Sequence, residues 1–291
     1  MATYFVISDI HSFYDEMIEA LTKAKYNKDN PNHVLISCGD LLDRGPDSVK
    51  CLEFINSIPE TNKVLIRGNH EYLLEEYLNR GYYYSRDIWN GTVSTAIQIA
   101  GSNQTKFFAS EGEQEKVIKE CKDNFLLQNY LQSCIDYLET DTHVFVHGWI
   151  PCSESKAYKE QHIKYEFDPN WRKGDWYNAS WVCCFDAWNQ GIVIPDKTIV
   201  AGHWHTSYGH SKYHHKGKEF DDEWLDIYNS LLPTGKPKIK SQVNFGIFKD
   251  EGIIGLDACT VKSHQINVLK IGKQKKIDEV KLMNQVSMFE V

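Results

Sequence analysis

The chain has 291 residues, of which 42% are hydrophobic and 25% are charged, and 32 Lys and Arg against 40 Asp and Glu leave a formal net charge of −8. This composition is ordinary for a soluble globular protein, and the length allows one large domain or two small ones. The acidic balance excludes a protein whose main task is to bind a nucleic-acid polymer, because that task needs a basic surface.

Targeting signals are absent from the sequence pattern. No apolar stretch approaches the ~20 residues of a membrane-spanning helix, and residues 1–10 have no positively charged region ahead of an apolar run, as a secretory signal would. The eight cysteines are scattered, without a Cys-x-x-Cys pair. We therefore expect no membrane partner, reduced thiols and a cytoplasmic location.

Five short apolar runs rich in β-branched residues predict buried strands. They are residues 3–7, 33–37, 63–66, 142–146 and 198–201. Residues 14–26 and 47–58 carry apolar side chains at helical spacing, and a further helix is expected to begin near Glu71. This alternation predicts βαβ units with parallel strands.

From about residue 81 to about residue 140 the alternation stops. Glu113 to Leu138 shows helical spacing, which predicts a helical insertion. The segment from about residue 151 to residue 182 is polar and aromatic without a clear period, and we expect a long loop or small cap there.

Three later runs predict antiparallel strands of a second sheet: residues 244–249, 252–257 and 265–271. No Pro/Gly/Ser-rich linker divides the chain. We therefore expect a single domain over residues 1–291, of the α/β class, with two packed mixed β-sheets flanked by helices and an inserted cap.

A short polar motif follows each of the first five predicted strands. In chain order the motifs are Asp9-Ile10-His11, Gly39-Asp40-Leu41-Leu42-Asp43-Arg44-Gly45, Arg67-Gly68-Asn69-His70-Glu71, His147-Gly148 and Gly202-His203-Trp204-His205. Ligands collect at the carboxyl ends of strands in α/β sheets, so we expect the five loops at one edge of one sheet. Carboxylates, a carboxamide and imidazoles suit borderline divalent metal ions.

The spacing within the first motif favours a shared ligand. Asp9 and His11 are two positions apart, so in extended backbone both side chains point the same way. Taken singly, an Asp after a strand is more often a turn or cap residue, and a lone His is more often structural. Without a cation, the carboxylates among these residues would repel one another in a single crevice. Taken together, the residues therefore favour a metal site.

The motifs, in this order, resemble those of the calcineurin-like metallophosphoesterases, and most closely those of the phosphoprotein phosphatase and diadenosine tetraphosphatase branch. That branch is marked by GDxHG, GDxxDRG, GNHE, HG and GH, and the resemblance here runs from Asp9 to His205. It implies a sandwich of two mixed sheets between helices. It also implies two divalent ions, Mn, Fe or Zn, that activate a water for attack on phosphorus.

The resemblance implies a set of metal ligands, with Asp40 bridging both ions. The implied ligands are Asp9, His11, Asp40, Asn69, His147, His203 and His205. Phosphoprotein phosphatases usually lack the second His of GHWH, so His205 is a departure from that branch.

The remaining motif residues have implied roles in catalysis and substrate binding. His70 is the implied proton donor and Asp43 orients it, although Asp43 could instead cap the helix that follows Pro46. Arg44 is the implied clamp on phosphate oxygens. Substrate contacts are also implied for Arg67 and Asn69, with bracing of the Asp carboxylates as the other interpretation of Arg67. Outside the motifs, Arg172 is a candidate for a phosphate contact from the cap.

Three residues depart from the family pattern. Ser8 and Ser12 stand at glycines of GDxHG, and Trp149 stands at a glycine often found after HG. Glycine is favoured where backbone takes a positive φ or approaches a ligand closely. We expect Ser12 to narrow the pocket and Trp149 to offer an aromatic wall.

The preferred function is a serine/threonine protein phosphatase-like phosphomonoesterase acting on a phosphorylated protein or a small phosphate ester. The alternative is a symmetrical dinucleoside tetraphosphate hydrolase, since such enzymes share DRGPDS and RGNH and the tryptophans could stack on a nucleobase. A cyclic phosphodiesterase is favoured weakly by GHWH. A non-catalytic metal-bound interaction module is disfavoured because it needs neither an acid nor a clamp.

Overall fold

The computed structural model describes residues 1–156, 163–220 and 242–276 of the chain. The strands of this part are β1 (Ala2–Ile7), β2 (His33–Ser37), β3 (Lys63–Ile66), β4 (Cys134–Ile135), β5 (Leu138–Glu139), β6 (His143–Phe145), β7 (Cys152–Lys156), β8 (Ile163–Phe167), β9 (Thr198–Ala201), β10 (Phe248–Asp250), β11 (Ile253–Gly255) and β12 (Leu269–Gln274).

The helices of the same part lie mainly between the strands of the first half of the chain. They are α1 (Tyr14–Lys23), α2 (Ser48–Asn56), α3 (Asn69–Arg80), α4 (Ser85–Trp89), α5 (Thr92–Ile99), α6 (Gln104–Ala109), α7 (Glu111–Asp123), α8 (Phe125–Ser133), α9 (Trp176–Ala179), α10 (Cys184–Asn189), α11 (Thr206–Tyr213) and α12 (Thr260–Ser263), with short 3-10 helices at Glu60–Asn62 and Trp171–Lys173.

Two five-stranded sheets form the centre of the fold. The first has the order β12-β1-β2-β3-β4, in which β1 to β4 are parallel and β12 is antiparallel to β1. The second has the order β10-β11-β9-β6-β5, in which β11, β9 and β6 are parallel and the two edge strands are antiparallel to their neighbours. Both sheets are therefore mixed, and β7 and β8 form a separate two-stranded hairpin.

The alternation of side chains along the strands creates three apolar layers. In β1, Tyr4 and Val6 face the core between the two sheets, whereas Phe5 and Ile7 face the helices α1, α2, α5 and α7. Val200 of β9 enters the same inter-sheet core from the other side. The order of layers is helix, sheet, sheet, helix, and this confirms the predicted α/β class with two mixed sheets flanked by helices.

The five early strand predictions agree with the structure to within one residue at either end, and the runs at 33–37, 63–66 and 198–201 have the predicted bounds. The first three predicted helices correspond to α1, α2 and α3. These elements were predictable because a strand buried on both faces is an unbroken apolar run, and an amphipathic helix shows its period directly.

The predicted helical pattern over Glu113 to Leu138 holds as far as Ser133 and is wrong from Cys134 onward. Two helices, α7 and α8, replace one, and Asn124 separates them because its side chain accepts the N–H of Leu127 as an N-cap. The chain then becomes extended, and Cys134–Ile135 pairs with β3 as the edge strand of the first sheet. Asn124 was the missed signal for the break.

The last predicted strands are also distributed differently from the expectation. Strands β10 and β11 belong to the second sheet, as predicted, but β12 pairs antiparallel with β1 in the first sheet. Strand pairing depends on distant residues, so the run at 265–271 did not indicate which sheet it would join.

Among the described residues, no helix combines the length and the apolar character needed to cross a bilayer. All eight cysteines lie in the described part, and all are free thiols.

Candidate metal centre

The polar motifs meet where the two sheets end, at the carboxyl ends of their parallel strands. Asp9, Asp40 and Asn69 follow strands of the first sheet, whereas His147 and His203 follow β6 and β9 of the second. The N–H of His203 donates to the Asp9 carboxylate at 3.0 Å and so connects the two sheets. The expectation of five loops on one sheet is therefore wrong, because β6 and β9 pair with each other and not with β3.

The motif loops have strained backbone. Among the described residues, thirteen that are not glycine have a positive φ, and seven of these lie in the motif loops: Asp9, His11, Ser12, Asp40, Asp43, Arg44 and His203. Such conformations cost on the order of 1–3 kcal/mol each and concentrate at functional sites. The rest of the fold therefore stabilises a local geometry in which all of these side chains except the exposed Arg44 are buried or partly buried.

A first donor group contains His11, Asp40 and His70, whose ligand atoms lie within 4.8 Å of one another. His11 Nδ1 is 3.1 Å from the carbonyl oxygen of Leu42 and must donate to it, because a carbonyl only accepts. His11 Nε2 therefore has a free lone pair, and it lies 3.8 Å from Asp40 Oδ2. Such a backbone contact fixes the tautomer of a metal-binding imidazole.

A second donor group contains Asp40, His147 and His203, again within 4.8 Å. His147 Nδ1 contacts the carbonyl oxygen of Cys38 at 2.8 Å, while its Nε2 lies 3.4 Å from Asp40 Oδ1 and 2.8 Å from Asn69 Oδ1. Asp40 thus directs one oxygen to each donor group. This is the arrangement that a carboxylate bridging two ions requires.

Among the predicted His and Asp ligands, two lie outside both groups, as far as the described residues go. The Asp9 carboxylate accepts the N–H of His203 and the hydroxyl of Ser8. His205 is hydrogen-bonded through Nδ1 to Ser207 Oγ at 2.7 Å. The motif spacing placed both residues near the centre but did not determine the direction of their side chains.

The charges of the centre are poorly balanced without a cation. Burial raises the pKa of Asp9 well above its usual value, and the nearby Asp257 carboxylate raises it further. Burial alone would lower the pKa of His147, but attraction to Asp40 raises it to about 10. The pKa of His203 is lowered to about 3 by burial and by repulsion from His147. Divalent ions fit this mixed set of carboxylate, carboxamide and imidazole donors.

Metal uptake is expected to release a proton. At pH 7.5 His147 is protonated in the metal-free protein, because its pKa is about 10, whereas His203, with a pKa of about 3, is already neutral. Since an imidazole must be deprotonated to bind an ion, we expect about one proton to leave His147, and metal affinity to rise with pH up to about 10. Calorimetric titration with zinc in buffers of different ionisation enthalpy measures the release; a heat independent of the buffer would contradict it.

An acid–base pair lies beside the two donor groups. His70 Nδ1 is 2.7 Å from Asp43 Oδ2, and Arg44 Nη2 is 3.1 Å from His70 Nε2. Asp43 can only accept and Arg44 can only donate, so the imidazole carries its proton on Nδ1 and accepts at Nε2. Asp43 does not cap the helix after Pro46, because the N-cap position of α2 is Asp47.

The arginines differ in how their charge is used. Four of the five pair with a carboxylate: Arg67 with Glu75, Arg80 with Asp87, Arg86 with Glu76, and Arg172 with Glu139. Within the described part of the chain, Arg44 has no such partner, and it is exposed beside the donor groups. The interpretation of Arg67 as a brace for the motif carboxylates is wrong in this geometry, because Glu75 and the carbonyl of Leu131 hold its guanidinium.

Two buried carboxylates support the centre: Glu71, a motif residue to which the sequence analysis assigned no role, and Asp257, which it missed. Glu71 accepts the backbone N–H groups of Asp40, Leu41 and Gly68 at 2.7–3.1 Å and the hydroxyl of Tyr130 at 2.7 Å, so it holds the loop of the bridging carboxylate. Asp257 lies close enough to Asp9 to raise its pKa. The motifs were identified as polar residues that follow buried strands. Asp257 follows β11, so the same criterion would have identified it.

The departures from the family pattern have local explanations. Ser12 keeps the left-handed backbone, with φ of 60°, and its hydroxyl bonds to Ser48 Oγ at 2.9 Å. Trp149 is fully buried, and its Nε1 donates to the carbonyl of Ile192 at 2.9 Å. The expectation that Trp149 forms an aromatic wall of the pocket is therefore wrong, because it packs in the core of the second sheet.

A different tryptophan borders the centre. Trp181 is 41% exposed, and its ring centroid lies 6.0 Å from that of His203. The segment before Trp181 packs on the His147-Gly148 motif so closely that a Cβ on Gly148 would overlap the carbonyl oxygens of Ala179 and Ser180. The indole is therefore presented at a defined position beside the second donor group.

Comparisons with known proteins agree on a family. The family model described as calcineurin-like phosphoesterase matches residues 2–232. The chain is 42% identical over 82 residues to the asymmetrical bis(5'-nucleosyl)-tetraphosphatase PrpE of Bacillus subtilis (strain 168), a match that covers 26% of this chain and 34% of that protein.

Two other relatives are named for different activities. The symmetrical bis(5'-nucleosyl)-tetraphosphatase of Buchnera aphidicola subsp. Acyrthosiphon pisum (strain 5A) is 41% identical over 71 residues, covering 24% of each chain. Serine/threonine-protein phosphatase 1 of Salmonella typhimurium (strain LT2) is 37% identical over 67 residues, covering 23% of this chain and 29% of that protein. The chain thus spans about a quarter to a third of the length of these curated relatives.

Proposed function

Because the chain belongs to the calcineurin-like phosphoesterase family, we propose that it is a phosphomonoesterase of the serine/threonine protein phosphatase type that depends on two divalent ions. The family match confirms the resemblance predicted from the motifs. The observation that carries the proposed activity is the Asp40 carboxylate, with one oxygen near each of two buried donor groups, next to the contacts among Arg44, His70 and Asp43.

The residues that would hold the ions divide around Asp40. The proposed ligands of the first ion are Asp9, His11 and Asp40, and those of the second are Asp40, Asn69, His147 and His203. When bound, the ions supply Lewis acidity to phosphoryl oxygens and lower the pKa of a water. Mn, Fe and Zn all suit such a donor set. His205 is proposed to join the first ion through Nε2, because its contact with Ser207 uses only Nδ1.

Arg44 is the proposed clamp on the phosphoryl group. Its guanidinium is exposed and has no carboxylate partner among the described residues, so it can donate two parallel hydrogen bonds to phosphate oxygens. Asn69, whose Oδ1 contacts His147, is proposed to add a carboxamide donor on the same side. We assign neither Arg67 nor Arg172 to the phosphate, because each guanidinium is paired with a glutamate.

His70 is the proposed proton donor to the leaving oxygen. In the described geometry its Nε2 accepts from Arg44 and carries no proton. When a phosphate oxygen draws Arg44 away, Nε2 becomes free to take up a proton from solvent. The resulting imidazolium can pass that proton to the departing alkoxide and return to the neutral form, while Asp43 keeps the ring oriented through Nδ1. Phosphate binding and proton donation are thereby coupled through one guanidinium.

Hydrolysis of a dinucleoside tetraphosphate is a second candidate, and Trp181 is the observation that favours it. An exposed indole beside a proposed metal ligand offers a flat face on which a nucleobase can stack. The Bacillus and Buchnera relatives, which are named as bis(5'-nucleosyl)-tetraphosphatases, support the same candidate. Cyclic phosphodiesterase activity was favoured only by His205, whose Nδ1 contacts Ser207. A non-catalytic module does not explain an exposed Arg44 that has no carboxylate partner among the described residues.

An assay panel tests the proposed function. We expect purified protein with manganese to hydrolyse para-nitrophenyl phosphate, and chelation by EDTA to abolish turnover. A phosphoserine peptide and diadenosine tetraphosphate, compared by kcat/KM, distinguish the first candidate from the second. An absence of turnover on all three substrates with manganese, iron and zinc would refute the catalytic proposal.

A further inference from the structure

The carboxylate that orients His70 is itself held from a second side. Asp43 Oδ2 accepts both the Nδ1 proton of His70, at 2.7 Å, and the hydroxyl proton of Thr92, at 2.8 Å. Thr92 is the first residue of α5, and both Asp43 and Thr92 are fully buried. The orientation of this carboxylate therefore depends on a helix that lies outside the five motifs.

In the described part of the chain, no hydrogen bond other than those from His70 and Thr92 holds the Asp43 carboxylate. Its other oxygen, Oδ1, is buried and has no hydrogen-bond partner among the described residues. Loss of the Thr92 hydroxyl would leave a single bond on Oδ2, and the group could then turn to offer either oxygen to His70. The Thr92 hydroxyl is also not needed to cap its own helix, because the N-cap position is Gly91.

The first turns of α5 contact the backbone of the same loop. The N–H of Asp43 donates to Thr95 Oγ1 at 3.0 Å, and Gln98 Nε2 donates to the carbonyl of Gly45 at 3.0 Å. Gly91 has a φ of 89°, and a Cβ added there would overlap the backbone of Arg44. The amino end of α5 also places its partial positive charge near the Asp43 carboxylate.

We propose that Thr92 is a positioning residue for proton donation by His70, acting through Asp43, and that the beginning of α5 is part of the catalytic apparatus. This inference rests on the proposed function, because it assigns Thr92 a role in the same reaction. It also assigns a function to the helical insertion, because α5 holds His70, the proposed acid, in place through Asp43.

The test compares Thr92→Val, which keeps the shape and removes the hydroxyl, with Thr92→Ser, which keeps the hydroxyl. Thr140→Val is the matched control, because the hydroxyl of Thr140 is also hydrogen-bonded, to the backbone of His143, at the opposite end of β6 from His147. Should Thr92→Val fail to fold, Thr92→Cys replaces it, since a thiol is a weaker donor.

The kinetic readout is the ratio of rates for a poor leaving group, an alkyl phosphate, and a good one, para-nitrophenyl phosphate. We expect Thr92→Val to lose roughly ten- to a hundredfold on the poor leaving group and much less on the good one, with metal content unchanged. Thr92→Ser is expected to restore most of the rate, and Thr140→Val to keep the wild-type ratio. Equal losses on both substrates in Thr92→Val would overturn the proposal.

A second readout does not depend on turnover. The Nδ1 proton of His70, donated to a buried carboxylate, should give a low-field proton resonance in protein labelled with ¹⁵N-histidine and kept metal-free or loaded with diamagnetic zinc. We expect this resonance to shift or to exchange faster in Thr92→Val and to stay unchanged in Thr140→Val. An unchanged resonance in Thr92→Val would overturn the proposal, whereas a wild-type protein without turnover would overturn only the proposed function.

Discussion

Replacing His70 by asparagine is expected to lower kcat by roughly 10²–10⁴-fold while bound metal is retained. The asparagine amide can take the place of Nδ1 and donate to Asp43, so the local hydrogen bond is preserved. What is lost is the Nε2 atom that we propose gives a proton to the leaving oxygen. The rate should therefore fall most for substrates with poor leaving groups, which depend most on that proton.

The measurement is kcat for a series of aryl and alkyl phosphates, together with metal content by mass spectrometry. His143→Asn, at the start of β6 and away from the motif loops, controls for the loss of an imidazole. Losses of the same size for good and poor leaving groups would remove His70 from the acid role. A loss of metal would instead place it among the ligands, as its position in the first donor group allows.

The second large effect is expected at the carboxylate that both donor groups share. Asp40→Asn keeps the shape of the side chain but removes the negative charge that lies within 4 Å of His11 and His147. Metal ions contribute several kcal/mol to stabilisation of a phosphoryl transition state, and each ~1.4 kcal/mol corresponds to tenfold in rate. We therefore expect kcat/KM to fall by at least about 10³-fold.

The same variant should bind fewer than two ions per chain in equilibrium dialysis, because one carboxylate serves both positions. Asp29→Asn, which removes an exposed carboxylate outside the motifs, is the matched control and should bind as the wild type does. If Asp40→Asn retained two ions with unchanged affinity, the bridging role would be wrong even if activity fell.

Much of the fold was readable because the strands are buried on both faces. Residues 33–37, 63–66 and 198–201 are unbroken apolar runs, and the structure gives them as strands with the predicted bounds. The break between α7 and α8 was missed because the apolar period continues across Asn124, and only its side-chain cap marks the boundary. The short strand β4 was missed because two residues are too few to show a period.

Most residues of the candidate site could be predicted from the sequence for a related reason. A polar residue that follows a buried strand lies at the edge of a sheet, and this places Asp40 and Asn69 near one another at the edge of the first sheet and His147 at the edge of the second. The directions of the side chains were not readable. His205 contacts Ser207, which is two residues along the chain, and Arg67 and Arg172 pair with Glu75 and Glu139. The residue types alone do not show which polar partner a side chain takes in the fold.

By itself, the sequence determined the family and the layered α/β class and predicted the chemistry of the motif residues, since these depend on local apolar runs and on residue types at fixed spacing. Only the tertiary structure decided that two sheets share the centre, that each oxygen of Asp40 lies near a different donor group, and that Thr92 and Glu71 support the loops. These features arise from contacts between residues far apart in the chain. Their geometry depends on how the layers pack, which no local pattern records.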